Sequence, residues 1–154
     1  MQFQRLTLCA TFLASLSVFS LRAFAALGGD VSSVQADQVH MNASWHSRPT
    51  PAYMIHELRT PAGMLVREFA APSGRIFAVS WKGQSPPDLR QLLGSHFEDF
   101  EQAAEAQGTR RTHGPLAIAR NGLVVELGGH MRSYAGHAYL PDEVPPGVHV
   151  DDLR

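Results

Sequence analysis

Three short runs rich in branched and aromatic side chains follow one another with only four-residue breaks between them: AYMIHELR at 52–59, MLVREFA at 64–70 and RIFAVSW at 75–81. The breaks, TPAG and APSG, each carry proline at the first central turn position and glycine at the end. Proline presets φ for that position and glycine accepts the exit geometry, so each break is a tight turn. The pattern predicts a three-stranded meander. Strand alternation in the third run would put Phe77, Val79 and Trp81 on one face and Ile76 and Ala78 on the other.

Ser85-Pro86-Pro87-Asp88 then has the form of a helix start, with a hydroxyl at the cap, proline at the first helical position and an acid three residues on. Leu89, Leu92, Leu93, Phe97, Phe100 and Ala104 recur at spacings of three and four, while Arg90, Glu98, Glu101 and Glu105 fall on the other faces. The spacing predicts one amphipathic helix over 86–107, ended by Gly108 and laid across one face of the sheet. Val31, Val34, Ala36 and Val39 form a weaker stripe, predicting an N-terminal helix capped by Asp30 and running to about Ala43. SWHSRPTP at 44–51 reads as a loop broken by Pro49 and Pro51. Asn121-Gly122 between PLAIAR and LVVELG is a hairpin signal, because both residues tolerate positive φ. A last strand over about 130–140 and a proline-rich extended tail from about 141 complete the chain. The expected fold is α+β: a mostly antiparallel sheet of five or six strands, the long helix on one face and the N-terminal helix beside it.

The first 25 residues read as a separate segment. Arg5 precedes an apolar run at 6–21, and Ala23-Phe24-Ala25 is a small-x-small site, which together predict a signal peptide cut between Ala25 and Ala26. The run is short for a membrane span, which takes about 20 residues. A single domain over 26–154, periplasmic or secreted and without a membrane span after cleavage, is therefore expected. The only cysteine, Cys9, lies in the leader. The domain then has no disulfide, and thiol catalysis, iron–sulfur clusters and cysteine zinc sites are excluded. The whole chain carries a formal net charge of −1, and losing Arg5 and Arg22 makes the domain more negative. That balance, with Arg110-Arg111 as a lone basic pair, argues against nucleic acid as a partner.

The stretch GGHMRSYAGHAYLP at 128–141 gathers most of the remaining chemistry. On one uninterrupted strand His130 and His137, seven apart, would point to opposite faces. Arg132 and Tyr134 would share a face with Gly136 and Ala138, and Ser133, Ala135, His137 and Tyr139 would share the other. The small-residue face suits either a helix packed over Gly136 and Ala138 with Arg132 at the rim, or a shallow polar groove where Arg132 offers its fork to a carboxylate or phosphate. A metal would need about three convergent ligands, recruiting His96, His113 or Glu126 from elsewhere. His56-Glu57 begins like the zinc-protease H-E-x-x-H, but the fifth residue is Thr60. Glu57 and Glu68, on neighbouring strands, could face each other as an acid pair. Trp81 reads as core, and Trp45 as a cover for the sheet or a partner. No catalytic residue, metal or cofactor is assigned; His130, Arg132, Tyr134 and His137 are the candidate binding residues.

LGGD directly after the leader, GRIFAVSWKGQSPPDLRQLLG at 74–94 and GGHMRSYAGHAYLP resemble the domain of unknown function 2844 family of exported proteobacterial proteins, over 27–153. The resemblance implies an exported single-domain bacterial protein and carries no activity, ligand or functional residue. Two functional readings follow from the residues. The first is a non-enzymatic periplasmic or secreted binding or accessory module, meeting a protein or envelope component through residues such as Arg132 and Tyr134. The alternative is a histidine-based metal-binding protein or small enzyme using His130 and His137 with His96 or His113.

Overall fold

The computed structural model describes residues 27–108 and 116–154. The expected signal peptide with its Ala25–Ala26 cleavage site, and the stretch with Arg110, Arg111 and His113, lie outside the described residues. Within them run helix α1 (Ser32–His40), strands β1 (Ser44–Pro49), β2 (Met54–Arg59), β3 (Leu65–Ala70) and β4 (Ile76–Gly83), helices α2 (Leu89–Leu93) and α3 (Phe97–Gly108), and strands β5 (Leu116–Arg120), β6 (Leu123–His130) and β7 (Ser133–Tyr139). All strand pairs are antiparallel, and the sheet order is β1-β2-β3-β4-β7-β6-β5. The architecture is α+β, with the helices on one face and the C-terminal segment on the other.

The meander forms as its turns dictate, Gly63 and Gly74 adopting φ +82° and +88°. Asn121 and Gly122 take φ +47° and +73° and join β5 to β6. Two expectations need correction. The stretch at 44–51 is no loop for most of its length: β1 pairs all six residues with β2. It is an edge strand, where Pro49 removes a donor that no neighbour needs. The stretch at 130–140 is not one strand either. His130 ends β6, Met131 and Arg132 make the turn, and β7 begins at Ser133. The first change brings the strand number to seven, and the second moves the β6–β7 boundary without adding a strand.

The helical region is also built in pieces. Asp88, not Ser85, is the N-cap of α2, its Oδ1 accepting from the Gln91 amide at 3.1 Å. Gly94 at φ +51° ends α2, and a 3₁₀ turn (Gly94–His96) leads into α3. The apolar stripe survives the break: Leu92, Leu93, Phe100 and Ala103 are buried, with Leu89, Phe97 and Ala104 packed at the margin. We expect Asp88→Ala to cost about 1 kcal/mol of unfolding free energy in a urea titration, and Ser85→Ala to cost almost nothing.

The helix face buries Leu58, Val66, Ile76, Val79, Trp81, Ile118, Leu123, Val125 and Ala138 under Val34, Leu92, Leu93 and Phe100. On the opposite face Ile55, Phe69, Phe77 and Ala78 are sealed by Val144, Val148 and Leu153 of the tail. The expected faces of Ile76 and Phe77 are thus exchanged. Between β3 and β4 the register shifts, Phe69 pairing with Ala78 and Ala70 with Ile76, so Phe77 is the extra residue of a bulge. The bulge turns Phe77 to the tail side, where its ring meets Phe69 and Tyr53. The tail is anchored by the Glu143 carboxylate, which accepts from Arg75 Nε at 3.0 Å and Nη2 at 2.8 Å.

Candidate functional site

The tail covers only part of its face. Beside it, across β3, β4, β7 and β6, lies a groove of about 400 Å³ lined by Leu65, Arg67, Ser80, Lys82, Glu126, Gly128, Ala135, His137 and Arg154, among others. Register builds it. Glu57 opposes Arg67, Arg67 opposes Ser80, Ser80 opposes His137 and His137 opposes Glu126, so five polar residues form one row across five strands. The next row on the same face is Leu65, Lys82, Ala135 and Gly128. Ala135 and Gly128 add almost no bulk, which opens the floor.

Most charges in the polar row are matched. Arg67 Nε donates to Glu57 Oε1 at 2.8 Å, and that bond holds the Glu57 carboxyl below its usual range. Arg154 Nη2 lies 3.5 Å from Glu126 Oε2 and 3.4 Å from Asp151 Oδ1, while the Arg154 backbone oxygen accepts from Arg67 Nη1 at 3.3 Å. The end of the tail therefore walls the groove. His137 is buried, stacked 6.1 Å from the Tyr139 ring, with Nε2 3.7 Å from Glu126 Oε2. Burial lowers its pKa in spite of that carboxylate, so the ring is neutral at neutral pH.

Of the four candidate binding residues His130, Arg132, Tyr134 and His137, only His137 lines the groove, where it meets Glu126. His130 is exposed at the end of β6, its Nδ1 3.0 Å from the Met131 backbone oxygen, and it opposes Ser133. Ser133 is four residues from His137, about 13 Å along the strand. Arg132 sits in the turn at φ +64° and does not rim a packed face. Tyr134, opposite Gly83 and Gly129, alternates to the helix side. Gly136 is covered there by the Trp81 indole and not by a helix. His96 sits against Gly28, away from the groove. Among the described residues no three His, Asp or Glu side chains stand together as a metal set.

A second polar cluster went unread in the sequence. Glu68 does not face Glu57; the two alternate to opposite sides of the sheet. Glu68 turns inward under α1, 1 % exposed, against the buried Asp37 carboxyl. Gln91 Nε2 donates to Asp37 Oδ1 at 2.7 Å. Burial, the Asp37 charge and a hydrogen bond with Asp37 push the Glu68 pKa well above the ordinary 4.5. The bond requires a proton on one of the two carboxyls. His56, opposite Glu68 on β2, is likewise buried, and burial lowers its pKa. Its Nδ1 lies 2.8 Å from Ser47 Oγ and 3.3 Å from Trp45 Nε1, so Trp45 covers this histidine. The signal was Val66-x-Glu68-x-Ala70, an acid on an otherwise apolar face.

The fold and groove define an antiparallel α+β domain with a covered face and a half-open one. Residues 23–153 match the family described as Protein of unknown function (DUF2844), and the chain belongs to that family. No curated protein and no solved structure matches it.

Proposed function

We propose that the chain is an exported, non-enzymatic binding or accessory module, periplasmic or secreted, and that the groove around His137 is its contact site. The observation that carries the reading is the 400 Å³ groove beside the tail, on a face that the tail covers only in part. Its size is within the range of small-ligand sites. The contact surface thereby moves from Arg132 and Tyr134 to Lys82, Ala135 and His137.

A hydrolytic reading of the row Ser80, His137 and Glu126 is less favoured. Ser80 opposes His137 without a hydrogen bond, and Glu126 approaches Nε2, the nitrogen a serine would need if an acid held Nδ1. The strand amides around Ser80 are engaged in the ladder, which leaves no pair of donors for an oxyanion. The leader supports export.

The full chain, expressed in a Gram-negative host and fractionated by osmotic shock, is expected to appear in the periplasm or medium with the mass of a chain starting at Ala26. An uncut chain held in membranes or cytosol contradicts export. Steady turnover of ester, phosphoester or peptide substrates that disappears in His137→Ala contradicts the non-enzymatic reading.

A further inference from the structure

We infer that the groove binds a monocarboxylate carried on an apolar body, with Lys82 as the residue that recognises the anion; the inference rests on the groove being the contact site. Lys82 is the only lysine in a chain whose other basic side chains are all arginine. It is exposed on β4, between Leu65 of β3 and Ala135 of β7. Arg67 and Arg154 are matched by Glu57, Glu126 and Asp151 at 2.8 to 3.5 Å. Lys82 has no ion-pair partner among the described residues. Among the Lys and Arg side chains that line the groove, Lys82 is thus the one with no carboxylate within ion-pair distance.

The shape fixes the rest of the ligand. Gly128 and Ala135 leave a floor bare of side-chain bulk, and Leu65 supplies an apolar wall. Four strands at about 4.8 Å spacing give a span of roughly 14 Å, long enough for an extended hydrocarbon chain. His137 lies two residues from Ala135, the partner of Lys82, so its Cβ is about 7 Å from that of Lys82. A flexible lysine and a ring N–H at that distance can each reach one oxygen of a carboxylate. Glu126 and Asp151 share the single Arg154 guanidinium on the far side of His137, and that surplus carboxylate repels a second negative charge and selects a monoanion over a phosphate dianion.

The probes are sodium octanoate, octyl phosphate and 1-octanol, titrated into the ¹⁵N-labelled protein at constant ionic strength. Octanoate is expected to give saturable shifts at Ser80, Lys82, Gly128 and Ala135, and to bind about tenfold more tightly than octanol, a charge-assisted hydrogen bond's worth. Lys82→Gln should erase that difference and Lys82→Arg should keep most of it; position 82 is exposed, so both variants fold. Equal affinities for octanoate and octanol, or an unchanged octanoate affinity in Lys82→Gln, overturn carboxylate recognition while groove shifts still sustain the contact site. Tightest binding by octyl phosphate overturns the monoanion preference. Shifts centred on Val144, Val148 and Leu153, or none at all, overturn the inference altogether, whatever the outcome of the export test.

Discussion

Glu68→Gln is expected to match the parent protein in stability near pH 4.5 and to exceed it increasingly as pH rises. Glu68 is buried against Asp37 with its pKa pushed well above 4.5, by burial first and by the Asp37 charge second. The folded state therefore keeps a proton that the unfolded chain has released. Where the folded state binds more protons, stability falls with rising pH. The contribution of the pair is full below about pH 4.5 and is lost as pH climbs through the raised folded value. Glutamine donates to Asp37 without needing a proton, so it removes the loss. The difference between the two proteins should grow by up to about 1.4 kcal/mol per pH unit, one proton's worth, over that window. For a domain of this size that is roughly 4 °C of melting temperature per pH unit. His56 and His137, with pKa values lowered by burial, act in the opposite sense, since the unfolded state then binds more protons. Comparing variant with parent at each pH cancels them. A constant difference between pH 4.5 and 9 would mean that Glu68 is ionised in the folded state.

Gly136→Ala is the other large effect. A methyl at this position would meet Trp81 Cζ2 at 2.5 Å and the Glu126 backbone oxygen at 2.6 Å. Trp81 is 3 % exposed and has nowhere to retreat, and the Glu126 oxygen belongs to the paired strand β6. Relief requires moving the indole or opening the β6–β7 ladder, at about 3 kcal/mol, the upper end for overpacking. Gly128→Ala is the matched control, since its methyl would have the Ala135 backbone oxygen at 3.9 Å as nearest neighbour. Its urea midpoint should stay close to the parent value. A Gly136→Ala midpoint no lower than that of Gly128→Ala would contradict the indole's position over β7.

Local chemistry made much of the fold legible. Proline–glycine turns, Asn121-Gly122 and the stripe from Leu89 to Ala104 each specify conformation within a few residues. The misreadings arose where a conformation was imposed from outside the local sequence. Arg132 holds φ +64°, a state that costs a branched-Cβ-free L-residue about 1 kcal/mol and carries no turn signature. The Phe77 bulge sets that ring against the tail, a contact between distant stretches of chain that strand alternation alone does not reveal. Glu68 reads as a possible partner of Glu57 because nothing local announces that α1 brings Asp37 over it. His137 was visible as a residue of interest, but its neighbours Ser80 and Lys82 were not. They become neighbours only because β7 inserts between β4 and β6, a pairing between distant stretches of chain.

The groove exists only if β4, β7 and β6 pair in the register that lays Ser80, His137 and Glu126 in one row. Directly opposed residues have Cα atoms about 4.5 or 5.5 Å apart, inside the disulfide window, whereas His130 and His137 are about 13 Å apart along the hairpin. With Cys9 replaced by serine, paired cysteines report register without interference. Oxidation followed by mass measurement should show an intramolecular disulfide in Ser80→Cys/His137→Cys and none in His130→Cys/His137→Cys. A bridge in the second pair and none in the first would contradict the sheet that forms the site.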